Sequence, residues 1–366
     1  MNAPVQPDRD RILAALDKVI DPKSGRGLVA AGLVQGLMVG EGRAGFMLEV
    51  PAADAAQYAY VRDAAEKALK AIPGVAKAQV VLTAAAKAGV SRVRKGSAGV
   101  AADPHSQLHT AEAEKPPFVG KVIAVASGKG GVGKSTVAVN LACAFAALGL
   151  KAGVLDADVY GPSAPRMLGV DEQPAFEDGK LTPLTAHGLK VMSIGFLVDE
   201  GAPMIWRGPM ASSAVRQMIV DVRWGTEAEP LDVLVVDLPP GTGDIQLTLV
   251  QKLKIDGVVI VSTPQEIALI DARRAAAMFA KTQTPILGVI ENMAYFPDPS
   301  TGAPIAIFGR GGARAEAAKL RVPLLAEIPI DIALRQGGDD GMPLVVSDPD
   351  GAVAKAFAGA ARILAD

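Results

Sequence analysis

The chain has 366 residues, 50% hydrophobic and 21% charged, a balance that supplies packed cores and excludes wholesale disorder. Its 37 Lys and Arg residues against 39 Asp and Glu residues leave no excess of positive charge, so nucleic acid is not an expected partner. Cys143 is the single cysteine, which excludes an internal disulfide and any metal site built from several cysteines of one chain.

The N-terminus and the apolar runs indicate where in the cell the protein is expected. Residues 1–10 are polar and lack a basic region followed by an apolar stretch, so no secretory signal is predicted and the expected location is cytoplasmic. The longest apolar runs, such as Val258–Val261, fall far short of the roughly 20 residues that cross a bilayer. Neither a membrane span nor a membrane partner is expected.

Residues 1–84 predict a small α+β domain. Apolar residues at helical spacing indicate a helix over Arg9–Val19, which Asp21-Pro22 ends because proline restricts the residue before it. The remaining predicted elements are two hairpin strands, a helix and a closing strand: Leu33–Val39, Ala44–Val50, Asp54–Ala71 and Ala78–Thr83. The length of the chain favours a second domain after this one.

Residues 85–117 are rich in Ala, Lys, Gly, Ser, His and Pro without periodicity, which is typical of a flexible linker. From residue 118 to 366, apolar strands alternate with helices. The predicted strands are Lys121–Ala126, Lys151–Asp156, Lys190–Ile194, Val233–Asp237, Gly257–Ser262, Pro285–Glu291 and Pro323–Ile328. Continuous apolar runs bounded by Gly or Pro favour buried parallel strands, so this domain is predicted to be a doubly wound, mostly parallel α/β sheet.

A glycine-rich run with the pattern G-x-x-x-x-G-K-[ST] follows the first strand of this domain and opens its first helix. In that setting the pattern predicts a phosphate-binding loop (P-loop), whose glycines let main-chain N–H groups surround phosphates. Lys134 is expected to reach the β and γ phosphates, and Ser135 to place its hydroxyl on Mg²⁺. The predicted ATP-binding residues are Gly128, Lys129, Gly130, Gly131, Val132, Gly133, Lys134, Ser135 and Thr136.

Carboxylates follow two other predicted strands. Asp237 ends an apolar strand, where it is expected to hold Mg²⁺ through water. Asp156 and Asp158 lie at another strand end, the first suited to the metal and the second to orienting the attacking water. Acids at strand ends also serve as helix caps, an alternative that stays open for Asp237 and Asp244.

The run Lys129–Thr136 resembles the deviant Walker A motif of MinD/ParA-type ATPases, which carries an extra lysine near its start. Lys129 matches that lysine. The resemblance implies a homodimer in which Lys129 contacts phosphate of the ATP bound by the other subunit, much like an arginine finger. The candidate catalytic residues are then Lys129, Lys134, Asp158 and Asp237.

Three longer strings resemble the Mrp (ApbC) branch of that group, the iron-sulfur cluster carriers: Asp156–Ser163, Trp206–Pro209 and Asp237–Asp244. The N-terminal domain also looks like the module attached to iron-sulfur assembly proteins, so the resemblance covers nearly the whole chain. It implies adenine contacts from Asn292, Pro329 and Asp331. It also implies transfer of a 4Fe-4S cluster to apo-proteins or exchange with assembly factors.

The chain departs from this family at one place. Many members carry a C-x-x-C pair shortly after the Asn-Met string, but Asp298 and Thr301 occupy those positions here. One carboxylate and one hydroxyl are poor ligands for a soft cluster, so no cysteine pair for a cluster is predicted. Cys143 has the spacing of an interior helix residue and is expected to be structural.

Two other functions compete with a slow ATPase of iron-sulfur delivery: a nucleotide-binding scaffold with negligible turnover, and a MinD/ParA-like positioning ATPase acting on a membrane or DNA. Positioning ATPases need an amphipathic tail or a basic face. The C-terminal stretch Ala352–Ala365 has only two cations, and Val353, Phe357 and Ile363 are expected to pack on the sheet.

Overall fold

A computed structural model describes residues 8–40, 43–51, 58–75, 77–85, 113–177, 179–197, 214–215 and 217–366. These residues form two compact units. The Trp206–Pro209 string and most of the predicted linker lie outside the described residues. The domain boundaries at residues 84 and 118 stay predictions.

The smaller unit contains a three-stranded sheet and two helices, in the predicted order. Its elements are α1 (Arg9–Leu16), β1 (Val34–Gly40), β2 (Arg43–Pro51), α2 (Ala59–Lys70) and β3 (Lys77–Ala85). Strand β2 lies in the centre, antiparallel to β1 and parallel to β3. Ile12 and Leu16 of α1 are fully buried in one apolar cluster with Phe46 and Leu48 of β2, as their helical spacing predicted. The helix ends at Leu16, three residues before the predicted end at Val19.

A buried carboxylate, Asp21, organises the turn after α1. It accepts hydrogen bonds from the main-chain N–H groups of Lys23 and Ser24, from the Ser24 hydroxyl and from the Tyr58 hydroxyl. Burial acts to raise the pKa of Asp21, but the bonds from Ser24, Tyr58 and Lys23 together lower it to about 2. The turn therefore depends on the ionised carboxylate.

The larger unit is built on an eight-stranded sheet. Its strands are β4 (Val119–Ala126), β5 (Ala152–Asp156), β8 (Leu184–Ala186), β9 (Leu189–Ser193), β10 (Leu231–Asp237), β11 (Gly257–Ser262), β12 (Ile286–Glu291) and β15 (Leu324–Glu327). The spatial order is β15-β12-β11-β4-β10-β5-β9-β8, and all neighbours are parallel except β8 and β9. The doubly wound, mostly parallel sheet is confirmed. Strand β8 was not predicted, because three residues give no detectable period.

Two short antiparallel pairs lie outside the main sheet: β6 (Phe176–Glu177) with β7 (Lys180–Leu181), and β13 (Phe296–Pro297) with β14 (Pro304–Ile305). The helices with both ends in the described residues are α3 (Lys134–Ala147), α4 (Ala164–Met167), α5 (Asp244–Lys252), α6 (Glu266–Lys281), α7 (Gly312–Leu320), α8 (Ile332–Asp339), α9 (Leu344–Ser347) and α10 (Ala352–Ala365). In the described part of the chain, no helix is both long and apolar enough to cross a membrane.

Helix α10 packs against α3 and β15. Val353 and Phe357 are buried there as predicted, whereas Ile363 is 51% exposed, so the prediction for Ile363 is wrong. Residues three or four apart share a helix face, and the step from Phe357 leads to Ala360, Ala361 and then Leu364, which is buried. Helix α3 is buried almost all round, because α10 covers one side and the strands β5 and β10 cover another.

Candidate nucleotide-binding site

The parallel sheet brings the predicted site residues to one edge. In the register of the central strands, Asp237 at the end of β10 pairs with Val125 of β4 on one side and with Asp156 of β5 on the other. The carboxyl ends of these strands therefore meet where the chain leaves β4. The glycine-rich loop spans the gap from Ala126 to Lys134, the first residue of α3.

The loop conformation requires several of its glycines. Gly131 and Gly133 both have φ of 80°, a region that side chains disfavour. A Cβ on Gly128 would lie 2.1 Å from the main-chain carbonyl of Asp271 in α6, and a Cβ on Gly133 would lie 2.1 Å from Asn292 Nδ2. Gly130, by contrast, borders open space. The loop thus leaves room on one side and packs tightly on the other.

Lys134 sits between two carboxylates. Its Nζ lies 2.5 Å from Asp237 Oδ1 and 3.5 Å from Asp158 Oδ2, and its side chain is 6% exposed. Asp158 is also buried and accepts a 3.1 Å hydrogen bond from the main-chain N–H of Tyr160. Lys134 begins α3, Asp237 ends β10 and Asp158 lies in the loop after β5, so the order of the strands in the sheet brings the three side chains together.

Asp237 has a free acceptor atom. The residue is 1% exposed, and burial raises its pKa while Lys134 and the Ser135 hydroxyl oppose that shift. Its Oδ2 is buried and has no hydrogen-bond partner among the described residues. This unpartnered carboxylate oxygen and the nearby Ser135 hydroxyl together form a set of oxygen ligands that fits Mg²⁺.

Asp156 is engaged differently. Oδ1 accepts a hydrogen bond from Asp158 N at 3.1 Å, while Oδ2 accepts from Ser163 N at 2.8 Å, from Ala164 N at 3.0 Å and from the Ser193 hydroxyl at 3.2 Å. Burial, together with the charge of Asp237, raises the pKa of Asp156 to about 7. Its donors hold the loop that carries Asp158 and the start of α4, so its predicted metal contact competes with four existing bonds.

A cavity of about 230 Å³ lies over the loop and beside this cluster. The lining residues are Ser127, Lys129, Gly130, Gly131, Gly133, Lys134, Ser135, Thr136, Asp158, Ser163, Met167 and Pro240. Lys129 is half-buried, and within the described part of the chain its ammonium has neither a hydrogen bond nor an ion pair. The sequence did not single out Ser127, Ser163, Met167 or Pro240 as site residues. For Met167, which α4 supplies, nothing local could have done so.

The residues expected at the adenine do not line this cavity. Asn292 donates from Nδ2 to the main-chain oxygen of Val132 at 2.8 Å. Asp331 caps α8 by accepting a 2.8 Å hydrogen bond from Leu334 N. Pro329 follows β15 and precedes that cap. Adenine contacts by Asn292, Pro329 and Asp331 therefore stay predictions.

The turn between β13 and β14 holds the positions predicted to lack cluster ligands. Asp298 Oδ1 accepts hydrogen bonds from Ser300 N at 2.8 Å, from the Ser300 hydroxyl at 2.5 Å and from Thr301 N at 3.0 Å. These bonds, the one from the Ser300 hydroxyl first, lower the pKa of Asp298. The turn is closed by its own donors, which is a structural role for the carboxylate.

Other metal ligands are equally scarce. Cys143 is 2% exposed within α3, as the sequence predicted, and burial raises its pKa to about 12. The His187 ring makes a 2.9 Å hydrogen bond with the main-chain oxygen of Gly341. Within the described ranges, no three His, Cys, Asp or Glu residues are grouped so that they could hold a metal ion.

A glycine-rich loop between a buried parallel strand and a helix, with its lysine between two strand-end carboxylates, defines a P-loop NTPase. Within that class, residues 118–365 match the ParA family described as NUBPL iron-transfer P-loop NTPase, and the chain belongs to this family. Residues 9–80 match a second family, described as iron-sulfur cluster assembly protein.

Curated relatives carry related descriptions. An iron-sulfur cluster carrier protein of Synechocystis sp. is 41% identical over 362 residues, which cover 97% of this chain and 96% of that protein. An iron-sulfur protein required for NADH dehydrogenase in mitochondria of Arabidopsis thaliana is 52% identical over 238 residues, 64% of this chain and 75% of that protein. Among solved structures, a nucleotide-binding protein of Archaeoglobus fulgidus in complex with ADP is 41% identical to this chain. The match has a TM-score of 0.57 and covers 66% of this chain and 93% of the Archaeoglobus chain.

Proposed function

We propose that this protein binds and slowly hydrolyses Mg-ATP as a homodimer and uses that cycle to assist delivery of iron-sulfur clusters to apo-proteins. The observation that carries the nucleotide part is the buried contact of Lys134 with Asp237 and Asp158 beside an open glycine cradle. Family membership and 41% identity to a carrier protein over 97% of the chain support the delivery part.

Each side chain of the cluster has a defined task in this proposal. Main-chain N–H groups of the loop and the N-terminus of α3 surround the phosphates, and Lys134 moves from its carboxylates toward the β and γ phosphates. Ser135 and Asp237 hold Mg²⁺, which neutralises charge on the phosphates when bound. Asp158, released from Lys134 by that move, orients the attacking water. Asp156 supports Asp158 through the hydrogen bond from its main-chain N–H.

Lys129 completes the site across a dimer. Its uncommitted ammonium at the cavity supports a role in which it contacts the γ phosphate held by the other subunit. Hydrolysis then requires two chains, whereas nucleotide binding requires only one.

The iron-sulfur cluster is the cargo, and its sulfur ligands come from another molecule. Clusters are held by cysteine thiolates, and a homodimer of this chain supplies two thiols in all, one per chain. Both are buried in α3 with pKa values raised to about 12, so neither is a thiolate at neutral pH. The function that fits these residues is nucleotide-driven assistance to a protein that holds the cluster on its own cysteines.

The delivery function is tested by anaerobic transfer of a cluster from a thiolate-ligated scaffold protein to an apo-ferredoxin. Wild-type protein with Mg-ATP is expected to raise the transfer rate several-fold, and K134A is expected to have no effect. A rate that wild type leaves unchanged contradicts the delivery function, even if ATP is hydrolysed.

The origin of the thiolates is tested by reconstitution of the protein alone with ferrous iron and sulfide, followed by iron and sulfide counts per dimer. Wild type and C143A are both expected to lose the added iron on desalting. A cluster retained by wild type would show that this chain holds the cargo itself.

A further inference from the structure

Asn292 directly follows β12 and lies next to the phosphate-binding loop. Its Nδ2 donates to the main-chain oxygen of Val132 at 2.8 Å, and the side chain is only 4% exposed. A Cβ on Gly133 would lie 2.1 Å from the same nitrogen, so the loop admits this contact only with glycine at that position. The loop and the amide are fitted to each other.

The contact sets the direction of a loop peptide group. In a trans peptide the C=O and the following N–H point in opposite directions. Holding the Val132 oxygen toward Asn292 therefore turns the Gly133 N–H the other way, and Gly133 lines the cavity. An N–H fixed in this way is available to a phosphate oxygen without reorganisation.

The main chain around Asn292 is itself held in place. Asn292 N donates to Ser262 O of β11 at 2.8 Å, and Ala294 N donates to Ile328 O at 2.9 Å. Between them, Met293 has φ of 54°, a left-handed conformation that is uncommon for a bulky residue and persists only where its surroundings impose it.

The same segment leads at once into the β13–β14 hairpin. Tyr295 O accepts a 2.7 Å hydrogen bond from Ile330 N, and Phe296 then pairs with Ile305. Ile305 and Ile307 are exposed. Residues 293–295 separate Asn292 from the first strand of this hairpin, whose second strand exposes Ile305.

We propose that Asn292 is a positioning residue that fixes the phosphate-binding loop in its binding conformation and passes nucleotide occupancy on to the hairpin Phe296–Ile305. This inference rests on the proposed nucleotide function. It differs from an adenine contact, because Asn292 orients the peptide group between Val132 and Gly133, whose N–H is offered to a phosphate oxygen.

A ligand without a base separates these roles. Affinities of the full chain for Mg-ATP and for Mg-tripolyphosphate are compared in wild type and N292D, whose carboxylate cannot donate to the Val132 oxygen. Both affinities are expected to fall by a similar factor, about tenfold for one lost hydrogen bond. An N292D protein that binds tripolyphosphate as wild type does, with or without weaker ATP binding, overturns the positioning role. If wild type binds neither ligand, the proposed nucleotide function fails instead.

Asn140 provides the matched control for folding effects. It is also 4% exposed, and its Nδ2 donates to a main-chain oxygen, that of Thr136, at 2.9 Å within α3. N140D is expected to lower the melting temperature as N292D does while leaving tripolyphosphate affinity within about twofold. Thr136 lines the cavity, but the peptide group that carries the released oxygen has its N–H, that of Val137, bonded to Gly133 O within α3, so it offers no donor to a phosphate. Equal losses of affinity in both variants would assign the N292D effect to general destabilisation.

The link to the hairpin is read by hydrogen exchange. The amides of Asp298 and Gly302 are hydrogen-bonded across the turn, so their exchange reports its opening. Saturating Mg-ATP is expected to change these rates in wild type and to leave them unchanged in saturated N292D. If Mg-ATP changes the exchange rates of N292D as much as those of wild type, or does not change those of wild type, the coupling is overturned.

Discussion

Lys134 Nζ lies 2.5 Å from Asp237 Oδ1 although Lys134 is the first residue of α3, where the helix dipole disfavours a cation. The two carboxylates Asp237 and Asp158 offset that field and the cost of burying the ammonium. The lysine is thus held beside the cradle before a phosphate arrives. In the proposed function, the phosphates of the nucleotide replace Asp237 and Asp158 as the negatively charged partners of Lys134.

Removing the ammonium is expected to abolish hydrolysis. K134A should reduce the ATPase rate about 100-fold or more, because it removes the ammonium that contacts the β and γ phosphates in the proposed function. The rate is measured with a phosphate-release assay, alongside circular dichroism, since an unpaired buried Asp237 also lowers stability. K355A, which removes an exposed lysine of α10, is the control and should keep the wild-type rate. Full activity in K134A contradicts the site assignment.

Lys129 is expected to act on the partner subunit. K129A should bind Mg-ATP with nearly wild-type affinity and lose hydrolysis. Mixing K129A with K134A at equal amounts should restore roughly a quarter of wild-type activity, because half of random dimers are mixed and each mixed dimer has one complete site. No recovery in stable mixed dimers would place Lys129 in its own subunit's site.

Two loop glycines should respond differently to alanine. G133A combines φ of 80° with a Cβ 2.1 Å from Asn292 Nδ2, so it should lose about 1–3 kcal/mol of stability as well as ATP affinity. G130A meets no neighbouring atom and should keep its stability while ATP binding weakens, because the methyl group enters the cradle. Denaturant unfolding without nucleotide measures the difference. Equal stability losses would contradict the loop geometry.

The pH dependence of the smaller unit should follow Asp21. Its pKa is about 2 in the folded protein against a reference value of 3.8, so its stabilising effect is complete above the reference value and is lost as pH falls toward 2. D21N should cost about 1–3 kcal/mol at neutral pH through weakened hydrogen bonds to Ser24 and Tyr58. The stability difference between wild type and D21N, measured by urea unfolding, should shrink over that pH range. A constant difference would contradict the role of the ionised carboxylate.

Cys143 should be unreactive in the native protein. Its burial and its pKa of about 12 leave almost no accessible thiolate at neutral pH. Iodoacetamide labelling followed by mass spectrometry should show modification in urea and almost none without it. Rapid labelling of the folded protein would contradict this prediction and would make Cys143 a candidate metal ligand.

Local patterns predicted much of the fold. Strands β4, β10 and β11 are buried on both faces, so almost all of their residues are apolar. A continuous apolar run of this kind can be recognised in the sequence alone. The glycine loop was also predictable, since its conformation depends on residues that are adjacent in the chain. Three-residue β8 and the exposed face of Ile363 were missed, because a short strand has no period and a helix face depends on what covers it.

The sequence by itself determined that a phosphate-binding loop lies between a strand and a helix, and that one cysteine per chain cannot provide the ligands of a cluster. Only the tertiary structure decided that Lys134 meets Asp237 and Asp158, that Asp156 is already engaged by four donors, and that Asn292 holds the Val132 oxygen. These contacts join residues up to 160 positions apart. They follow from the order of the strands in the sheet, which no local pattern of residues encodes.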